Sequence, residues 1–378
     1  MKILFSAENF YPRLGGAEVS MDSLLSELAV KNEVYAIYIG SSKASKVKLI
    51  PMSSSFVLKN IPYLNRSVMR VYYANLRWKK HLDEIVKKIR PDIIFTQLEY
   101  TPSSVFIGKK HGIKTVVFLN NYDHFCPFSF RFGQDPLTCK RNCLKCSPLS
   151  YKIQYPFVKR YLRMQEAALR KADIIVSASG YIASILKKFY SLDSIVYNQI
   201  LDLDDFAVKK IERKYITFIN PIDIKGASVV YKLARKMNHE FLVIGRKDKK
   251  WLENTKWVEK FIELPNVNYV DSVKDMKDYY AKTKILLIPS LWPEVLGRIA
   301  LEAEINGIPC IGSNNGGVPE AIGPGGLIVK NVFDMNEWVS KINCLEKNYE
   351  AFSKKARKHA GQFSKEKQMK ILMDIINS

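Results

Sequence analysis

The chain has 378 residues, 47% of them hydrophobic, which is enough to bury two α/β cores. The formal net charge is +22, and the excess is concentrated in residues 1–200, where 30 Lys and Arg face 14 Asp and Glu. No apolar run reaches the roughly 18 residues that a spanning helix needs. The start lacks a signal peptide's longer apolar stretch and small-residue cleavage site, so a cytoplasmic protein is expected.

"MKILFSA" predicts a first strand, and "NFYPRLGGAEVSMDSLLSELA" a loop followed by a helix from about Gly16. Gly15 and Gly16 stand between the two. Glycines there let backbone N–H groups approach a phosphate, or they make a plain turn after Pro12. "EVYAIYIG" is the second strand. "RSVMRVYYANLRWKKHLDEIVKKI" predicts a long helix. At about 100° per residue, Arg66, Arg70, Arg77 and Lys88 fall within about 40° of one another, opposite an apolar face of Val71, Trp78, Leu82 and Val86. Such a stripe is either a solvated face or a surface for anionic lipid. "PDIIFTQ", "TVVFLNN", "ADIIVSAS" and "SIVYNQI" continue as strands.

"VVFLNNYDHFCP" ends a strand at Asn120 and leads into Cys126, Cys139, Cys143 and Cys146, spaced C-x12-C-x3-C-x2-C. Four cysteines so close in a cytosolic chain are rarely disulfides. They could close a tetrahedral structural zinc site, or stand as four reduced thiols, and the spacing is not that of a standard finger. Cys310 and Cys344 read as core. The polar stretch Asn198–Tyr215 predicts a domain boundary, giving domains 1–197 and 198–363 and a last helix over 364–378. Its Asp-x-Asp within "DLDD" could hold a divalent ion, but reads as linker.

"YITFINP", "EFLVIGR", "VNYVDS", "KILLIPS" and "PCIGS" are strands of the second domain. Strands alternating with helices imply parallel sheets, where ligands bind at the carboxyl ends of strands. Lys225-Gly226 follows one such strand, and Arg246 another. After "KILLIPS" comes "WPEVLGRIALEAEINGIPCIGSNNGGVPEAIG". It holds Glu294 in a loop and Glu302 eight residues later in a helix predicted over Arg298–Asn306. Gly297 allows close backbone approach at the helix N-terminus, where free N–H groups favour anions. Glu302 can accept from a ribose diol and Glu294 from sugar hydroxyls. Glu304 reads as a solvated surface glutamate. A dinucleotide fingerprint Gly-x-Gly-x-x-Gly is absent between the first strand and helix, which argues against a nicotinamide enzyme.

This last segment resembles the donor-site signature of the retaining glycosyltransferases of family 4. That pattern is Glu, any residue, a bulky apolar residue (here Leu296), Gly, then Glu at the eighth position, followed by Gly-Ile-Pro and Gly-Gly-x-Pro-Glu. The resemblance implies the GT-B fold: two Rossmann-like domains with parallel sheets facing a central cleft. It implies a nucleotide sugar donor, UDP-sugar in preference to GDP-sugar, held mainly by the second domain. Front-face substitution follows, in which the departing phosphate takes the acceptor proton and no metal or other cofactor is required. Glu294, Lys225 and Asn120 become the catalytic candidates. Gly15, Gly16, Arg246, Leu296, Gly297, Arg298 and Glu302 become donor-binding candidates. The acceptor is expected to be a glycan or lipid-linked, at an anionic inner membrane surface, with no nucleic-acid partner. Two positions depart from the family. Asn220 stands where an arginine is usual, and Asn120 where a histidine is usual unless His124 serves from a shifted register. Those departures leave open a degenerate sugar-nucleotide binder, and the Asp-x-Asp of "DLDD" leaves open an inverting or metal-dependent enzyme.

Overall fold

The computed structural model describes residues 1–7, 16–39, 47–52, 68–128, 130, 135–146, 149–198, 202, 205–209, 212–245, 252–271, 273 and 275–377. The chain divides into two compact units. One is Met1–Ile200 with Gln368–Ser378, and the other is Leu201–Lys367.

The first unit runs β1 (Lys2–Ser6), α1 (Gly16–Leu28), β2 (Glu33–Ile39), β3 (Lys48–Met52), α2 (Val68–Ile89), β4 (Ile93–Gln97), α3 (Thr101–His111) and β5 (Lys114–Leu119). It continues with α4 (Cys143–Cys146), α5 (Leu149–Lys152), α6 (Tyr155–Lys171), β6 (Ile174–Ser177), α7 (Gly180–Tyr190) and β7 (Ile195–Val196). Its seven strands are all parallel, in the order β3-β2-β1-β4-β5-β6-β7. Alternation at period two sends Ile3 and Phe5 to one face and Leu4 to the other. The first face packs on Leu24 and Leu25 of α1, the second on Trp78, Leu82 and Val86 of α2. Sequence patterning overlooks β3. It contains Pro51, which a strand tolerates at a sheet edge, and β3 pairs with β2 alone.

The second unit runs β8 (Tyr215–Ile219), α8 (Ala227–Lys236), β9 (Phe241–Ile244), α9 (Leu252–Ile262), β10 (Val267–Val270), α10 (Lys277–Lys282), β11 (Thr283–Ile288) and α11 (Arg298–Glu304). Then follow β12 (Cys310–Ser313), α12 (Val318–Ile322), β13 (Leu327–Val329), α13 (Met335–Lys347) and α14 (Tyr349–Ala360). The six strands are again all parallel, in the order β10-β9-β8-β11-β12-β13. Phe218, Ile285 and Leu287 face α8, α9 and α13, while Leu286 and Ile288 face α11 and α12. The last helix, α15 (Lys365–Asn377), buries Leu372, Ile375 and Ile376 in the first unit's core beside Phe5 and Phe95.

In each sheet the strand order reverses once, between β1 and β4 and between β8 and β11. Loops leaving the two strands on either side of a reversal turn away from each other, which opens a crevice at their carboxyl ends. These two places are where chemistry is expected.

Two expectations about α2 are corrected. Arg66 lies outside the described residues, and Arg70 is only 9% exposed, so it is not on a solvated stripe. The stripe was drawn for an isolated helix, whereas α2 is covered by α3 and α6 as well as by the sheet. Arg77 and Lys88 remain exposed.

Candidate active site

At the reversal of the second sheet, the loop after β8 and the loop after β11 are bound together by backbone. Asn220 leaves β8 at φ +67 and donates its N–H to Ile244 O at 2.7 Å. A 3-10 turn, Asp223–Lys225, follows, and Gly226 at φ +86 opens α8. A Cβ on Gly226 would stand 2.1 Å from Pro289 O, so only glycine lets the two loops meet. The N–H groups of Leu291 and Trp292 both donate to Ile224 O, at 2.9 and 3.0 Å. This contact brings Lys225 and Glu294 together, 69 positions apart in sequence. Lys225 Nζ lies 2.5 Å from Glu294 Oε1, and Ser290 Oγ donates to the same oxygen at 2.6 Å.

The Gly-Gly-x-Pro-Glu loop holds the other side of Glu294. Glu294 and Gly316 form a parallel bridge, and Gly317 N donates to Glu294 O at 2.7 Å. Gly316, at φ +64, has Glu294 O where a Cβ would otherwise be, at 2.2 Å. Ser313 Oγ and Asn315 Nδ2 both donate to Ser290 O at 2.7 Å. The two glycines after β12 therefore serve close backbone packing behind Glu294.

Glu302 is on α11, one helix turn and a little more beyond Gly297, which sits at φ +99. Its carboxylate is 9% exposed. Oε2 accepts from Tyr280 OH at 2.9 Å, and Oε1 lies 3.8 Å from an Arg298 guanidinium nitrogen. Burial raises the Glu302 pKa, outweighing the opposing pull of Arg298 and the Tyr280 hydroxyl. Burial also lowers that of Arg298. A carboxylate oriented by a tyrosine and an arginine can accept hydrogen bonds from a vicinal diol.

Two expectations for this unit change. Leu296 is 3% exposed and packs with Val318 and Ala321, so its side chain belongs to the core and not to a ligand surface. Glu304 is fully buried, because α14 covers that face of α11. Its Oε2 lies 2.7 Å from His359 Nδ1, and burial pushes its pKa up to about 10. Arg246 lies outside the described residues.

In the first unit, Gly15 is likewise outside the described residues, and Gly16 is the first residue of α1. Asn120 follows β5 directly and is buried. Its Nδ2 donates to Gln97 Oε1 at 2.8 Å. Gln97 ends β4 and is fully buried, and its Nε2 finds no partner among the described residues. The pairing fixes the Asn120 amide, with one Nδ2 hydrogen committed to Gln97. His124 does not replace a histidine at position 120. It is fully buried and shares a 2.9 Å hydrogen bond with Thr101 Oγ1. Burial pushes its pKa down to about 3, so the ring is neutral and structural.

None of the four clustered cysteines is in a disulfide, and among the described residues no three Cys, His, Asp or Glu are grouped to hold a metal. Burial raises Cys126 to about 12 and Cys143 to about 11, and neighbouring thiols add to both. Arg141 N donates to Cys139 Sγ at 3.3 Å, while Cys146 Sγ points to Cys143 O at 3.7 Å.

Two family profiles match along the chain. Glycosyltransferase Family 4 matches residues 14–200, and Glycosyl transferases group 1 matches residues 203–366. The chain is a glycosyltransferase.

This glycosyltransferase is 23% identical over 346 residues to an uncharacterized 42.6 kDa protein in the cps region of Klebsiella pneumoniae, covering 85% of this chain and 87% of that one. An uncharacterized 41.2 kDa protein from the same region of that organism is 34% identical over 114 residues, 29% of each chain. Spore coat protein SA of Bacillus subtilis is 30% identical over 108 residues, 28% of this chain and 27% of that one. The chain thus matches under a third of the length of two of these relatives. Among solved structures, HepE of Anabaena in complex with UDP is similar over the whole of both chains, with a TM-score of 0.74 and 14% identity. Sucrose-phosphate synthase of Thermosynechococcus elongatus has a TM-score of 0.72 at 15% identity, covering 100% of this chain and 98% of that one. The glycosyltransferase therefore has the two-unit α/β fold of GT-B enzymes. Among the described residues, no helix is long and apolar enough to cross a membrane.

Sequence reasoning missed Ser290, Tyr280 and Gln97 in this glycosyltransferase. Ser290 was legible as the polar residue closing an apolar strand. Tyr280 and Gln97 carried no local signal.

Proposed function

We propose that the protein is a retaining glycosyltransferase that moves a hexose-type sugar from a nucleotide sugar to a glycan or lipid-linked acceptor at the cytoplasmic face of the membrane. The observation that carries this reading is the joining of Lys225, Ser290 and Glu294 at the second unit's strand reversal, with Glu302 on the helix that follows. Glu302 accepts the ribose hydroxyls and Glu294 those of the donor sugar. Lys225 and the backbone at Gly297–Arg298 steady the diphosphate. Its charge stabilises the leaving group as the sugar–phosphate bond breaks. The leaving phosphate oxygen takes the acceptor proton, so the neutral amide of Asn120 is adequate and neither an enzyme nucleophile nor a metal is needed. Gly16, with Gly15, brings backbone N–H groups to the diphosphate. Acceptor recognition falls mainly to the first unit.

UDP is favoured over GDP as the carrier, a choice supported by HepE having been solved with UDP and with UDP-glucose. An acceptor among polysaccharides is supported by relatives described from a cps region and a spore coat. Asn220 does not argue for a dead enzyme. It sits at φ +67, which asparagine tolerates better than arginine.

A thermal-shift screen of UDP-, GDP- and ADP-sugars tests the donor, since a ligand that binds the folded state raises the melting temperature. A shift with UDP-glucose and release of UDP on incubation are expected. Binding without any release of UDP, with and without added sugar acceptors, would instead favour the degenerate binder.

A further inference from the structure

We infer that the first unit docks on an anionic lipid surface through an apolar patch ringed by cations, carried by the N-terminal half of α2, by α5 and by the start of α6. This rests on the membrane-facing acceptor proposed above and gives it a location, away from the stripe that helical periodicity draws.

The patch is visible in exposure. Leu149 is 76% exposed and Ile153 81%, while Tyr73 and Leu76 on α2 are 45% and 50% exposed. The two helices are joined by rings: the Tyr73 and Phe157 rings lie 6.1 Å apart and Tyr72 and Phe157 6.2 Å, and Ile153 is four residues before Phe157. Single exposed leucines are ordinary, but large apolar groups gathered at one place mark an interaction surface.

Its charge is one-sided. Residues 136–165 contain seven Lys and Arg and no Asp or Glu, and residues 68–82 contain four and none. Lys152, Lys159, Arg160 and Arg163 are exposed around the apolar groups, and the Arg160 guanidinium lies 5.6 Å from the Tyr72 ring centre. The other end of α2 is different. There Asp83 pairs with Lys87, Lys110 and His111, so a carboxylate stands among the cations next to Lys88.

Aliphatic side chains that can enter an acyl boundary, on segments rich in cations at headgroup level, suit an anionic bilayer. A second copy of this chain fits less well. A symmetric pairing would bring the same cations face to face, with no anion from either copy to meet them.

The test uses the full chain and vesicles of phosphatidylcholine with or without phosphatidylglycerol. Binding is expected only with the anionic lipid, and should fall as salt rises. Leu149→Ser with Ile153→Ser should weaken it about tenfold or more, because both groups leave the acyl boundary. Lys152→Gln, Lys159→Gln and Arg163→Gln together should weaken it and flatten its salt dependence. Lys87→Gln with Lys88→Gln should leave it unchanged. UDP binding by calorimetry is followed in every variant and should not move, so a failure of docking is told apart from a failure of the donor reading. Full vesicle binding by the Leu149/Ile153 variant would overturn the inference. So would equal binding to neutral vesicles, or a dimer in light scattering that the same variant dissolves.

Discussion

Glu294 and Glu302 are carboxylates held by different means, and they should respond differently to change. Glu302 has Tyr280 and Arg298 as partners inside an apolar surrounding. Glu302→Ala should weaken UDP binding by roughly 1.5–3 kcal/mol, the range for a charge-assisted hydrogen bond. Calorimetry with UDP reads this, and unchanged affinity would remove Glu302 from the site. Glu304, two residues on, gives a pH signature in stability instead. Its folded pKa of about 10 lies above the ordinary 4.5, and burial lowers the pKa of His359 beside it. Between those pH values the unfolded chain has lost the proton and the folded chain keeps it, so stability falls as pH rises through the window. Glu304→Gln should raise stability at pH 8 by more than about 1 kcal/mol, one pKa unit being about 1.36 kcal/mol, and change little at pH 5. Urea unfolding at the two pH values separates this from a plain packing effect. Both glutamates stand in the same helix, and only neighbours remote in sequence distinguish them. Tyr280 lies 22 residues before Glu302, and His359 55 residues after Glu304. That distinction was not legible in the run itself.

At the scale of elements, the site depends on two loops that meet at glycines. Gly226→Ala would meet both a left-handed backbone and Pro289 O. Gly112→Ala would meet a left-handed backbone alone, with nothing near its Cβ. The second should cost roughly 1–2 kcal/mol of stability and leave UDP affinity intact. The first should cost more than this and also lose UDP affinity, because the Ile224 contacts that place Lys225 against Glu294 must shift. Similar losses in both variants, by urea unfolding and calorimetry, would show that strain and not loop contact sets the cost. Sequence made part of this readable. Strands ending at Ile219 and Ile288, followed by Lys225-Gly226 and by Glu294, are apparent from apolar runs and their breakers. The positive φ of Asn220 and the close approach of Gly226 to Pro289 were not, since they are set against Ile244 and Pro289, residues that only folding brings beside them. Helix α2 shows the same limit. Its apolar face followed from a period of 3.6, but Arg70 was misread as solvated because periodicity assumes one packed side and α2 has more.

For the whole molecule, the last helix tests how the chain is closed. Leu372 is fully buried among residues of the first unit, although it follows the second in sequence. Leu372→Ala should cost roughly 2–5 kcal/mol of first-unit stability by the usual cavity effect. Urea unfolding should register it, and UDP affinity should move little, since Lys225, Glu294 and Glu302 are in the second unit. Sequence alone determined the two parallel sheets, because alternating apolar strands and helices admit little else, and it located the donor signature, because Glu, Gly and Gly-Gly recur there at fixed spacing. Tertiary structure alone decided which strands lie beside each reversal, and so which loops meet. It decided that Ser290 and Lys225 share one oxygen of Glu294, that Leu296 and Glu304 turn inward, and that exposed aliphatic groups gather on α2, α5 and α6. The physical reason is range. Propensity and periodicity act over a few residues, whereas burial, paired charges and close backbone contact are set by segments that only folding brings side by side.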